Sequence, residues 1–382
     1  MFNFSPITIK RMRAFRRNRR AWWSLVLFVA FFVFSMCADF VCPIDPTEVI
    51  DAKTLEKFRE RRVEEVHDVR TARCSISLSG EVVRWEGPEE TFRIFSEKLK
   101  SAGGKMDGVV LDGYSISHKP SLSGKGTRVF FSPLEPPKVK SSNEILMPVA
   151  WPFRPVEGHP FGIDAAGRDV YSRVVHGMRI ALTFGLALAF SGLLLGLAIG
   201  AIEGYFGGWT DIAGQRFTEI WSAMPFLYVM IFVGSTVGRG FGILLLCYAL
   251  FNWIGVSHYM RAEFLRLRVR TFVEAAKCQG LSPARIIFKH ILPNAVTPLV
   301  TLFPFLLMGA IGSLAALDFL GFGLPPMTPS LGELLSQAQQ FRFAWWLVLF
   351  PGVALFTVMF LVVLIGEGLR DAFDPRQRST LN

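Results

Sequence analysis

Six blocks of apolar residues, each about 20 long, alternate with polar stretches along the 382-residue chain. At roughly 1.5 Å rise per residue, a helical block of that length crosses about 30 Å of hydrocarbon. The pattern predicts spans at Trp22–Val41, Arg179–Ala201, Phe217–Val237, Phe241–Ser257, Ala295–Leu317 and Phe343–Gly366. Residues 43–175 break it: 20 Lys plus Arg stand against 20 Asp plus Glu, and no run there can span a membrane. Alternating pieces at Cys74–Leu78 and Glu81–Trp85 read as strands, Glu89–Ser101 reads as a helix closed by Gly103 and Gly104, and Phe131–Pro160 is Pro-rich and irregular. The fold class predicted is an all-α polytopic membrane protein with six transmembrane helices and a small α+β insert between the first two.

Composition sharpens this picture. Hydrophobic residues make up 51% of the chain, with 36 Phe, which suits lipid-facing surfaces. A net charge of +10 raises nucleic-acid binding as a reading. The cations cluster beside apolar blocks and form no separate basic domain, so that reading is set aside. Lys10, Arg11, Arg13, Arg16, Arg17, Arg19 and Arg20 precede the first span without one acid. That span is too long for a signal-peptide core and ends without a small-x-small cleavage site, so it reads as an uncleaved helix. The 258–294 loop carries Arg261, Arg266, Arg268, Arg270, Lys277, Arg285 and Lys289 against Glu263 and Glu274, and the tail carries Arg370, Arg376 and Arg378. The opposite loops hold only Arg239, and Arg342 with Asp318 and Glu333. This asymmetry puts both termini in the cytoplasm and the insert in the periplasm of a bacterial inner membrane; large domains cross largely regardless of charge. The division expected is a basic terminus with the first helix (1–42), the insert (43–160), a membrane core (161–378) and a tail (379–382). The five cysteines lack metal-ligand spacing, and both a Cys42–Cys74 bridge and unpaired thiols stay open.

Glu274-Ala275-Ala276-Lys277-Cys278-Gln279-Gly280, followed by His290-Ile291-Leu292-Pro293-Asn294, is the most informative segment. Glu274–Gln279 favours a helix, and its adjacent alanines admit another backbone. Gly280 suits a helix end that needs positive φ, Leu281 leads out of it, Ser282 suits an N-cap and Pro283 a first helical position. Ile286 and Ile287 offer an apolar face, and Pro293 is expected to end the second helix before the next span. Gly192, Gly196, Gly200 and Gly204 recur every four residues and predict close packing of the second span on a neighbour, in this chain or a partner. Glu219, Asp318 and Glu367 lie in or near spans and are candidates for a polar pathway or interface within the bundle, or for pairing with Arg216 or Arg370. No Gly-x4-Gly-Lys-[Ser/Thr] phosphate cradle, His-Glu-x-x-His or Gly-x-Ser-x-Gly elbow occurs. No catalytic, cofactor or metal residue is therefore predicted, and any ATP-driven work must draw its energy from another polypeptide.

Glu-Ala-Ala-x3-Gly, then nine residues, then a position before x-Leu-Pro, resembles the EAA loop of ABC importer permeases. His290, where the broad pattern has Ile, belongs to the reading His-Ile-Leu-Pro-Asn of the oligopeptide/dipeptide (OppC/DppC-like) branch. His159-Pro160-Phe161-Gly162-Ile163-Asp164 with Gly167-Arg168-Asp169-Val170, Gly204-Tyr205-Phe206-Gly207-Gly208-Trp209 with Asp211 and Arg216, Leu317–Pro325 and Arg370–Pro375 resemble the same branch. Gln215-Arg216-Phe217 with Glu219 and Trp221-Ser222, the Gly366-Glu367 pair and the long insert resemble more narrowly the microcin C/oligopeptide permeases of YejE type. The resemblance implies a non-enzymatic subunit working with a second homologous permease, ABC ATPase subunits that hold ATP and Mg, a periplasmic solute-binding protein and a peptide substrate. It implies that the 258–294 loop docks on the ATPase. Dipeptides or nickel chelates are alternative ligands, and an autonomous channel or secondary transporter is the rival class.

Overall fold

The computed structural model describes residues 6–51 and 151–373 and, between them, the backbone of seven short strands. The described chain is mostly helical. Its helices are α1 (Pro6–Arg17), α2 (Arg19–Met36), α3 (Ala38–Val41), α4 (Val170–Phe206), α5 (Gly208–Ser222), α6 (Phe226–Thr236), α7 (Phe241–Leu267), α8 (Thr271–Cys278), α9 (Pro283–Arg285), α10 (Leu292–Phe319), α11 (Leu331–Gln340) and α12 (Trp346–Phe373). A π-helical turn, Ile286–Ile291, joins α9 to α10. Among the described residues five helices are long and apolar enough to cross a membrane: α2, α4, α7, the run Pro283–Phe319 and α12. A sixth crossing exists only if α5 and α6, bent by 68°, count as one span.

Several helices outrun the apolar blocks that predicted them. The early turns of α4 carry Arg173 and His176, and both find partners: Arg173 pairs with Glu333, and His176 Nε2 lies 3.1 Å from Asp39 Oδ1. A helix continues past the hydrocarbon where its polar side chains are satisfied in this way. The expected continuous span Phe217–Val237 is instead broken. Pro225 has no backbone N–H and disfavours the helical region for Met224 before it, and it adopts an extended conformation (φ −69°, ψ 105°). Trp221 pins the preceding turn by donating from Nε1 to the Leu250 carbonyl at 2.8 Å.

The helical unit comprises Met1–Pro43, Ser172–Ser336 and Phe350–Asn382. Its core gathers Leu182, Phe184 and Leu188 of α4 with Leu307, Ile311 and Leu314 of α10 and Val358 and Val362 of α12, all buried. Phe184 meets Phe241 and Tyr248 of α7 edge-on at 5.6 and 5.9 Å between centroids. Small gaps between such shapes cost dispersion energy, which fixes the register of the packed helices.

The second unit, Ile44–Tyr171 with Gln337–Leu349, holds the strands. They are β1 (Arg61–His67), β2 (Arg73–Ser79), β3 (Val82–Glu86), β4 (Val109–Leu111), β5 (Tyr114–Ile116), β6 (Lys138–Ser141) and β7 (Glu144–Leu146). An antiparallel sheet runs β1-β2-β3-β7-β6, with Ile76 opposite Trp85 and Val83 opposite Ile145, and β4 pairs with β5. The expected helix Glu89–Ser101, and the side chain of Cys74, lie outside the described residues. In the same unit, Asp164 closes a buried turn: it accepts from the backbone N–H groups of Ala166 (2.9 Å) and Arg168 (2.8 Å) and from Arg168 Nε (2.9 Å). The His159-to-Asp169 motif is thus a hydrogen-bonded turn, with His159 Nδ1 at 2.9 Å from Asp169 Oδ1, and Gln337 and Trp346 bond to it from outside.

Candidate functional site

The segment between α7 and α10 is two short helical pieces around a tight elbow. Alpha-helical φ/ψ end at α8, and Gly280 takes φ +72°, which L side chains rarely adopt. The Gly280 N–H donates to the Lys277 carbonyl (2.9 Å) and the Leu281 N–H to the Ala276 carbonyl (3.3 Å), the paired bonds of a Schellman terminus. Ser282 then takes the N-cap position in extended conformation with Pro283 following it. Its carbonyl accepts the Ile286 N–H at 3.0 Å, while its side chain makes no capping bond.

Pro293 does not end this helix. The chain runs on from the π-helical turn into α10 without a break. The Leu292 N–H reaches back to Ile287, five residues away, and this wider turn leaves room for a proline ring that would crowd the carbonyl four residues before it. Asn294 Nδ2 donates to the His290 carbonyl at 2.9 Å, satisfying one acceptor in the distorted turn. Leu292 and His290 are half-buried and Pro293 is exposed.

One face of the elbow is seated and the other is open. Val273, Ala276, Ile286 and Ile291 are buried with Ala201 of α4, Val256, Met260, Phe264 and Leu267 of α7, and Ala295 and Leu299 of α10. Glu274, Ala275, Ser282, Ala284 and Lys289 face outward, and Phe288 is 68% exposed. The elbow therefore touches three long helices through apolar contacts and presents a mixed apolar and charged surface on its far side.

The glycine stripe lies on α7. A Cβ added at Gly192 would meet Asn252 Nδ2 at 2.5 Å, at Gly196 the Val256 Cβ at 2.5 Å, and at Gly204 the Arg261 carbonyl at 2.6 Å; at Gly200 it would meet the Ser257 carbonyl. Any side chain would force the helices apart. The acids fare differently from one another. Glu219 is exposed and accepts from Arg216 Nη1 at 2.6 Å. Asp318 is 7% exposed and, among the described residues, pairs with no arginine: it accepts from the Leu324 N–H at 2.7 Å and from the Ser330 hydroxyl. Glu367 is exposed and has no ion-pair partner among the described residues.

Sequence reasoning did not single out Glu203, which is 3% exposed where α4 meets the turn at Gly207. It accepts from Gln215 Nε2 of α5 at 2.8 Å. Nearby, Asp211 of α5 receives both arms of the Arg261 guanidinium of α7, one of them at 2.7 Å. Arg268 Nη1 reaches the Tyr205 carbonyl at 3.4 Å, and Lys277 Nζ lies 5.9 Å from the centre of the Tyr205 ring. These contacts tie α4, α5, α7 and α8 together beside the elbow. The signal available in the sequence was Gln215 and Asp211 one helical turn apart, following paired glycines. Among the described residues, no three or more His, Cys, Asp or Glu gather as a metal cage.

Comparison with known proteins adds the following. Residues 192–379 match the family described as binding-protein-dependent transport system inner membrane component, and residues 10–57 match the N-terminal TM domain of oligopeptide transport permease C. The peptidoglycan transport system permease protein YejE of Agrobacterium fabrum is 34% identical, over 98% of this chain and 94% of that protein. The inner membrane ABC transporter permease protein YejE of Escherichia coli is 34% identical over 99% of each chain. The oligopeptide transport system permease protein OppC of Haemophilus influenzae is 40% identical over 58% of this chain and 71% of that protein.

Proposed function

The chain belongs to the binding-protein-dependent transport system inner membrane components, in the OppC-like, YejE-type group of ABC permeases, and from that premise we propose that it admits oligopeptides or peptide-like compounds through an elbow driven by a separate ATPase. It is a membrane-spanning transport subunit, and ATP hydrolysis belongs to another polypeptide. The substrate class we favour is a peptidoglycan-derived cargo, on the full-length likeness to the peptidoglycan transport system permease protein YejE, or a microcin C-type cargo, on the sequence resemblance.

In this reading the chain pairs with a second homologous permease, two ATPase subunits and a periplasmic solute-binding protein. Both termini and the elbow face the cytoplasm, α5 and α6 together make the third of six crossings, and the strand-rich unit lies in the periplasm. Nucleotide-driven closure of the ATPases pushes on the outer face of Glu274–Asn294. Because α8 and the π-helical turn are seated on α4, α7 and α10, the push moves those helices as a body. Asp211–Arg261 and Glu203–Gln215 extend the body to α5, so the broken span follows.

The observation that carries this is the elbow itself: a Schellman glycine between two helical pieces, apolar on the bundle side and open with Phe288 and Glu274 on the other. Peptide uptake in cells lacking the native permease tests it. Gly280→Pro and Glu274→Lys are expected to abolish uptake with normal membrane levels of protein; normal uptake by both would refute the coupling role.

A further inference from the structure

The first twenty residues carry a strong charge that the transport reading does not use. Alpha1 is firmly seated. Phe15 and Ala21 are buried against Ile365 and Ala372 of α12, and a side chain at Gly368 would collide with the Ala21 Cβ. The Arg11 guanidinium stacks 4.5 Å from the centre of the Phe373 ring and donates from Nη1 to Thr297 Oγ1 at 3.2 Å. Asn18 caps α2 by accepting the Ala21 N–H and reaches Asp371 through Nδ2 at 3.5 Å. The turn between α1 and α2 is therefore fixed by packing on one side. On the other side Arg13, Arg16, Arg17, Arg19 and Arg20 are exposed, and the first acid of the chain is Asp39.

We propose that α1 and the turn into α2 form a binding site for the phosphate headgroups of anionic phospholipid. Depth supports it. The apolar stretch of α2 begins at Ala21, directly after Arg20, and runs to Met36, so Arg16–Arg20 lie where hydrocarbon gives way to headgroups. Trp22 and Trp23 lie at the same level, Trp23 61% exposed and Trp22 under the Arg16 guanidinium at 5.2 Å. Chemistry supports it too. Among the described residues of this stretch the exposed cations are all arginines, whose planar forks match phosphate oxygens two at a time, and the α1 seat fixes the backbone that carries them. Headgroups bound there brace the end of α12 against Thr297 of α10. This needs only that α2 lies in a bilayer and is independent of the coupling role of the elbow.

The test is a titration of the detergent-solubilised full chain with phosphatidylglycerol, phosphatidylcholine or inorganic phosphate, read as the thermal unfolding midpoint. Wild type is expected to be stabilised by phosphatidylglycerol alone. R13Q/R16Q/R17Q, in which Lys10, Arg11, Arg19 and Arg20 still set topology, is expected to need on the order of 10- to 100-fold more of it, at the surface attraction expected for three lost cations. R13K/R16K/R17K, which keeps charge and loses the forks, is expected to fall between and keeps the test decisive if the glutamine variant folds poorly. Equal stabilisation by phosphatidylcholine, an equal effect of inorganic phosphate, or unshifted titrations in both variants would overturn the site. So would stabilisation by an acidic partner subunit where phosphatidylglycerol gives none.

Discussion

Two connections between long helices are built in opposite ways. Residues 320–330, between α10 and α11, are tied by directional bonds. Buried Asp318 accepts from the Leu324 N–H and the Ser330 hydroxyl, and Arg239 Nη1 donates to the Gly321 carbonyl at 2.7 Å. Residues 268–291, between α7 and α10, are held mostly by buried apolar contacts of Val273, Ala276 and Ile286. Hydrogen bonds in a buried site are directional and hold a segment in one place, whereas close-packed apolar contact is non-directional and passes a push from one element to the next. On the proposed function, the connection that stays and the connection that transmits movement are distinguishable by what binds them.

The comparison can be broken most severely at its hinge. Gly280→Pro demands φ near −65° where the chain holds +72° and removes the N–H that bonds to Lys277, so uptake should fall to background and the unfolding midpoint should drop by a few degrees while insertion is kept. If Gly280→Pro instead unfolds the protein, the elbow is a structural tie like its counterpart. Asp318→Ala should do the reverse. Loss of a buried hydrogen-bonded anchor should cost about 1–3 kcal/mol, seen as a lower unfolding midpoint, with uptake per folded molecule retained. Gly196→Val should cost a similar amount, roughly 1–3 kcal/mol, by forcing α4 from α7. Asp211→Asn should have a smaller effect. The Asp211–Arg261 pair is partly solvated, so a double-mutant cycle with Arg261→Gln should return about 1 kcal/mol of coupling. Uptake in that variant should fall more than stability does, because α5 would no longer follow α7.

The smallest effect should be at the far end of α2. The Arg179 guanidinium, and after it the His176 ring, hold the exposed Asp39 carboxyl below its ordinary value of 3.8. A depressed folded value means that this tether is complete above pH 3.8 and is lost as pH falls through the lower folded value. Asp39→Asn should lower the neutral-pH midpoint slightly, leave the midpoint at the acid end unchanged, and so flatten the fall between them.

Most of the bundle was legible because burial in lipid forces a simple rule: an apolar run long enough must be helical. The elbow was legible because its backbone needs particular residues, a glycine for positive φ and a serine-proline start. Helix ends were not, since Val170–Met178 and His258–Leu267 extend the helices through polar partners that no local pattern reveals. Proline alone did not decide the breaks either. Pro298, Pro304 and Pro351 lie inside continuous helices, while Pro225 marks a 68° bend and Pro293 is absorbed by a π-helical turn. Glu203 escaped notice because its burial is created by Gly214 and Gln215 folding over it, a long-range event. Of the charges that did stand out, Glu219 and Glu367 are exposed and Asp318 is buried, where it accepts from Leu324 and Ser330.

The central claim is that the outer face of the elbow is where the ATPase pushes. A photo-crosslinker placed at Ala284, exposed on α9, and in a second variant at Met327, 61% exposed beyond α10, tests it in assembled transporter. The account predicts ATPase adducts from Ala284 and none from Met327. Adducts from Met327, or none from Ala284 in a transporter that still takes up peptide, would contradict it.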